Sequence, residues 1–221
     1  RQLVQAFMAA EDRNFFRHSG LDYAGIIRAG AKDVVNLAHG RRLESGSTIT
    51  QQVAKNILLT NDATIGRKLK EALLAQQLEG VLSKERILEL YLNEIWLGYR
   101  SYGVGAAAYN YFGKSISDLD LAECAYLAAL PKGPDNYHPI RRKAQAIARR
   151  NWILDQMAEI GWVTRAQANA AKAEDLKVMA EPSRAKYRDA DYFVEEVRRR
   201  GLATLGPRIN EGGYYMRTTL D

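Results

Sequence analysis

Cysteine is almost missing from this chain of 221 residues. Its one thiol, Cys124 in "LAECAYLAAL", has no partner for an internal disulfide, so cysteine usage fixes no redox compartment. With no cation or His beside it in sequence, Cys124 reads as a small buried residue rather than a nucleophile. Histidine is scarce as well: His18, His39 and His138 are too scattered for a metal motif, and His18 reads as a structural hydrogen-bonding residue. The Gly-rich spacing of a P-loop is absent, which excludes nucleotide binding of that type. No apolar run approaches the ~20 residues that span a bilayer, and no signal peptide is present. No repeat or low-complexity stretch occurs. The chain starts at Arg1 without an initiator Met and reads as a fragment of a longer polypeptide.

What is present is enough for a sizeable core: 47% of the residues are hydrophobic. The 32 Lys and Arg outnumber 26 Asp and Glu, for a formal charge of +6. That balance favours an anionic partner, whether nucleic acid, phosphate or an anionic membrane surface, without choosing among them.

Helical periodicity dominates. Leu3, Val4, Phe7 and Met8 follow a 3.6-residue period that also carries Glu11, an unusual place for a charge. "LDYAGIIRAGAKDVVNLAHG" is a second amphipathic segment closed by Gly40. In "STITQQVAKNILL", Ser47 or Thr48 can cap a helix beginning near Thr50. "IGRKLKEALLAQQLEGVL" and "SKERILELYLNEIWLG" are strong helices, the second started by Ser83. "SYGVGAAAYNYFGKS" predicts a turn with a short helix. "SDLDLAECAYLAALPKGP" predicts a capped apolar helix buried nearly all round and ended by Pro131 and Pro134. A helical pair follows in "IRRKAQAIARRNWILDQMAEIGWVT" and "RAQANAAKAED", then a helix in "DADYFVEEVRRRGLATLG". The tail "GGYYMRTTLD" alternates as a strand would.

The chemistry concentrates in two stretches. In "RKLKE", Arg67 and Lys68 share a helical face with Glu71; alone, this is also what a surface salt-bridge ladder looks like. In "GSTITQQVAKN", Gln52, Lys55 and Asn56 lie at i, i+3 and i+4 of a helix with Ser47 and Thr48 at its N-terminus, a natural phosphate site. Two carboxylates in different helices, Glu11 and Glu71, with Lys55, Arg67 and Lys68 between them, suit a sugar phosphate or diphosphate. Phe15 and Phe16 are expected to wall Glu11 as a general acid or base. Desolvation would raise its pKa and the cations lower it, so the sequence leaves its protonation state open. "RRNWILDQM" reads on its own as a solvated basic face with an apolar back.

Together, "EDRNFFRHSG" at 11–20, "GSTITQQVAKN" at 46–56, "RKLKE" at 67–71, "RILELYLNEIWLG" at 86–98 and "RRNWILDQM" at 149–157 resemble the peptidoglycan glycosyltransferases of glycosyltransferase family 51. The resemblance implies a mainly α, two-lobed, lysozyme-like helical domain over residues 1–180, with a small membrane-facing lobe at about 21–45. Residues 181–221 would add a helix and a short C-terminal strand leading to a linker and transpeptidase region. It also implies polymerisation of lipid II into β-1,4 glycan strands at the outer face of a bacterial inner membrane. Glu11 and Glu71 then become the catalytic residues, Glu11 as the base. Asp12, Ser47, Thr48, Gln52, Lys55, Asn56, Arg67 and Lys68 become the substrate-binding set, with Asp12 supporting the cleft. No cofactor is required, though Mg2+ or another divalent cation can be accommodated at the diphosphate. The implied partners are lipid II, the growing glycan and a membrane surface, without nucleic acid, in a parent chain that carries a transpeptidase domain and an N-terminal anchor. Ile26, Ile27, Val34, Val35 and Leu37 with Arg28, Lys32, Arg41 and Arg42 fit a helix lying on an anionic bilayer, or an ordinary core-facing helix. A lysozyme-like hydrolase or a non-catalytic glycan-binding scaffold are the rivals; cleavage of a neutral glycan needs no cationic diphosphate clamp.

Overall fold

A computed structural model describes residues 1–23, 25, 46–58, 65–179 and 191–206. It divides into two compact units, Arg1–Pro182 and Ser183–Asp221. Unit one contains α1 (Gln2–Glu11), α2 (Ile49–Leu58), α3 (Ile65–Val81), α4 (Lys84–Glu94), α5 (Gly103–Phe112), α6 (Leu121–Leu127), α7 (Lys143–Ile160) and α8 (Arg165–Ala173). Short 3-10 turns at Phe15–Arg17, Ile116–Asp118 and Leu130–Lys132 join some of them. In unit two the described residues form α9 (Asp191–Leu205), where the periodicity predicts it. The fold is mainly α: among the described residues the only β pairing is an isolated bridge between Trp96 and Tyr102. The amphipathic segment at 21–40 with its proposed lobe at 21–45, and the strand expected in the tail, lie largely or wholly outside the described residues.

The buried centre is α6. Ala122, Cys124, Ala125, Tyr126 and Leu127 are all buried, as are Ala128, Ala129 and Leu130 that follow. A helix apolar nearly all round must be surrounded, and α1 and α7 pack against it. Asp120 caps it in a reciprocal box with Glu123. The helix stops at Leu127, short of Pro131, which sits inside the following 3-10 turn where it needs no intrahelical N–H. Burial also pushes the Cys124 thiol up to about 12, the inert role expected of it.

A second group consists of α2 packed on α3 and α4. The joint with α1 is aromatic: fully buried Phe7 meets the edge of Tyr91 on α4, with ring centroids 6.2 Å apart. Burying Phe7 alone contributes about 1.5–3 kcal/mol. The junction holds the end of α1 beside the start of α2. After α4 the chain makes a tight reversal in which Gly103 (φ +77) passes so close to Asn93 that a Cβ would lie 2.4 Å from its carbonyl oxygen.

Candidate active site

Helix α1 ends at Glu11, and the next residue leaves helical geometry: Asp12 has φ −159 and ψ 76. This break sends two adjacent carboxylates to different neighbours. The buried Asp12 accepts from His18 Nε2 at 2.9 Å and from the backbone N–H of Ile49 at 3.0 Å. Ile49 is the first residue of α2, so an anion caps that helix where its N–H groups point outward. Thr48 completes the cap. Its hydroxyl accepts from Gln51 N and donates to Gly20 O at 2.6 Å, while its N–H donates to Gln51 Oε1.

One turn into α2, Gln52 Nε2 donates to Glu11 Oε2 at 2.8 Å. Glu11 keeps partial access to solvent through the cleft, yet its carboxylate is closely surrounded by protein. Burial raises its pKa above the ordinary carboxylate range, and the charge of Asp12 adds to that effect. The Gln52 hydrogen bond and the charges of Arg149 and Lys132 pull the other way.

A cleft of about 440 Å³ opens over this carboxylate. Its walls bring together Glu11, Ser47, Gln52, Lys55, Arg67, Lys68 and Glu71, seven of the ten residues picked out by sequence, together with Lys132, Arg149 and Trp152. On α3, Lys68 is ion-paired to the buried Glu71, and its Nζ donates to Ser47 Oγ at 2.7 Å. The "RKLKE" face is therefore a wall of the cleft rather than a ladder in open solvent. The other three predicted residues do not line it. Asp12 and Thr48 are buried and committed to the start of α2, so they position the site instead of contacting its contents. Asn56 is exposed on α2 outside the cleft.

The aromatic surroundings also differ from expectation. Phe15 is buried in the core and Phe16 is half exposed; neither lines the cleft. The 3-10 turn after Asp12 carries both away from Glu11. The cleft's aromatic side chain is Trp152 on α7, with the Arg149 guanidinium 4.1 Å from a ring centroid. The adjacent Arg150 is buried, donating to the carbonyls of Glu174 and Lys172, so "RRNWILDQM" is not a uniformly solvated face. Sequence reasoning left Lys132, Arg149 and Trp152 out of the site. The i, i+3 spacing of Arg149 and Trp152 marks them as neighbours on α7. Nothing local marks Lys132.

The donor set does not fit a divalent cation held by protein alone. Glu71 already carries Lys68, and among the described residues no group of three His, Cys, Asp or Glu is placed to bind a metal. What the cleft supplies is one carboxylate of raised basicity, an amide donor to it, and five cations: Lys55, Arg67, Lys68, Lys132 and Arg149. That combination can accept a proton at one point and stabilise a polyanion at another.

The family model described as Transglycosylase matches residues 1–158. The chain is 43% identical over 221 residues to penicillin-binding protein 1A of Rickettsia felis, covering 99% of this chain and 28% of that protein. It is 45% identical to penicillin-binding protein 1A of Aquifex aeolicus and 42% identical to that of Escherichia coli, covering 99% of this chain in each case. It spans 29% and 25% of those two relatives. A crystal structure of penicillin-binding protein 1A from Haemophilus influenzae matches 72% of this chain and 20% of that one, with 35% identity and a TM-score of 0.44.

Proposed function

The chain belongs to the transglycosylase family, the peptidoglycan glycosyltransferases of cell-wall synthesis, and from that premise we propose that it polymerises lipid II into β-1,4 glycan strands. Glu11 is the base. It takes the proton from the acceptor sugar's 4-hydroxyl as that oxygen attacks the donor's anomeric carbon. The bond from that carbon to the lipid diphosphate breaks, its electron pair leaves with the diphosphate, and the configuration inverts. No acid is needed at the leaving group, because the diphosphate is stable as an anion once its charge is met by cations. Lys55, Arg67, Lys68, Lys132 and Arg149 provide that charge, and Ser47 and Glu71 hold Lys68 in place. Glu71 thus acts through Lys68.

The observation that carries this reading is the meeting of the Glu11 carboxylate with this cationic set in one cleft. A hydrolase of neutral glycan has no use for five cations. The substrate's lipid tail implies work at a bacterial membrane, at its outer face. Among the described residues no helix is long and apolar enough to cross one. The relatives are more than three times the length of this chain, which supports a parent that also carries a transpeptidase domain.

The test is incubation with labelled lipid II and separation of products on a gel. The wild-type chain yields a ladder of polymer and Glu11→Gln yields none while retaining its fold. Polymer from Glu11→Gln refutes the base assignment. Shortening of preformed strands in place of polymer marks a hydrolase.

A further inference from the structure

Tyr91 on α4 is fully buried, and the charges of Glu11 and Asp12 both act on it. Burial, then those two carboxylates, drive its pKa well above the usual phenol value, so the hydroxyl stays a neutral O–H. A Phe would fill the same space against Phe7 without placing a polar atom in the interior. The hydroxyl has one partner among the described residues, Gln52 Oε1 at 3.4 Å, a long hydrogen bond. The same amide gives its Nε2 to Glu11 at 2.8 Å.

An amide between a phenol and a carboxylate has two orientations. With its carbonyl toward Tyr91 it can only donate to Glu11, which suits an ionised carboxylate. Flipped, its carbonyl would face Glu11 and suit the protonated acid. Tyr91 O–H donating to the carbonyl favours the first. Asp12, by holding the first N–H of α2, sets the helix that carries Gln52.

Resting on the base role of Glu11 proposed above, we propose that Tyr91 is a positioning residue for the transfer: through Gln52 it keeps the amide's N–H on Glu11 and so favours the proton-accepting form of the base. Burial works against that form, and the groups facing Glu11 divide. Asp12 opposes ionisation, whereas Gln52, Arg149 and Lys132 favour it. Lys55, Arg67 and the Lys68–Glu71 pair line the same cleft.

The experiment compares Tyr91→Phe with wild type in kcat/KM for lipid II polymerisation across pH. The expected result is an acid limb moved to higher pH by about half a unit, a roughly threefold loss on that limb, with activity recovered on the alkaline plateau. An unmoved limb, or a loss equal at every pH as packing alone would give, overturns the proposal. A 13C NMR titration of the Glu11 carboxyl in the same two proteins reads the effect without turnover. It therefore decides the matter even if the wild-type chain makes no polymer, an outcome that would sink the proposed function instead. Tyr91→Phe must raise the Glu11 titration; no rise overturns the inference. Should Tyr91→Phe fail to fold, Gln52→Met takes its place. Removing the amide must raise the Glu11 titration at least as far, and an unchanged value breaks the relay.

Discussion

Asp12→Ala is the sharpest test of how the cleft is held together. The substitution removes the acceptor for His18 Nε2, at 2.9 and 3.1 Å from its two oxygens, and for Ile49 N–H at 3.0 Å. Both donors stay behind in the interior, His18 with a side chain only 7% exposed. Each orphaned donor costs about 1–3 kcal/mol. Loss of the anion at the start of α2 adds about 0.3–1 kcal/mol. Relief of repulsion with Glu11 and of the carboxylate's own desolvation offsets part, leaving a net loss of about 3 kcal/mol. Asp12→Asn keeps an oxygen for Ile49 N–H and should cost about 1 kcal/mol. Urea unfolding followed through Trp96, Trp152 and Trp162 measures both, and a thermal melt should fall by about 6–12 °C for the alanine variant. A loss below about 1 kcal/mol for Asp12→Ala, or equal losses for Ala and Asn, would refute this account of a carboxylate welding α1 to α2.

Two further outcomes follow from the charges. Burial holds the folded Glu11 carboxyl above its unfolded value near 4.5, so the fold favours its protonated form. That stabilisation is complete below the unfolded pKa and lost as pH rises through the folded one. Glu11→Gln should therefore be more stable than wild type at neutral pH and show no such gain in acid; denaturation at the two pH values tests this, and a neutral-pH loss contradicts it. Arg149→Ala removes a cleft cation and its stacking on Trp152, worth about 0.5–2 kcal/mol. Its KM for diphosphate-bearing substrate should rise about three- to tenfold, and the acid limb should move to higher pH because Arg149 favours the ionised base. Equal weakening toward a soluble glycan without diphosphate would exclude a role at the diphosphate.

The parts of the site that lie on one helix were legible in the sequence. Helical period puts Glu11 on the buried stripe of α1 and brings Arg67 and Lys68 onto the face of Glu71, and all of them line the cleft. The same period explains why Asn56 does not. From Gln52, positions i+3 and i+4 diverge to either side by about 100° from each other, and the cleft takes the side of Lys55. Thr48 illustrates another limit: a hydroxyl at a helix start reads equally as a ligand contact or a cap, and only the contacts with Gln51 and Gly20 choose the cap. Phe15 and Phe16 stand apart from the cleft because proximity in sequence says nothing once a 3-10 turn redirects the chain. Lys132, Arg149 and Tyr91 reach Glu11 through tertiary packing of elements distant in sequence, which no local pattern encodes.

Arg150 has a mechanical consequence. Its guanidinium grips the carbonyls of Lys172 and Glu174, and a few residues on, Met179 N–H donates to Tyr111 O while Tyr99 O–H donates to Met179 O. None of Arg150, Tyr99 and Tyr111 lines the catalytic cleft. Tension applied to the polypeptide beyond residue 179 would load these moorings on α7, α5 and the turn before α5 first. Arg150 adjoins Arg149 on α7, so the load on that mooring passes directly to a wall of the cleft.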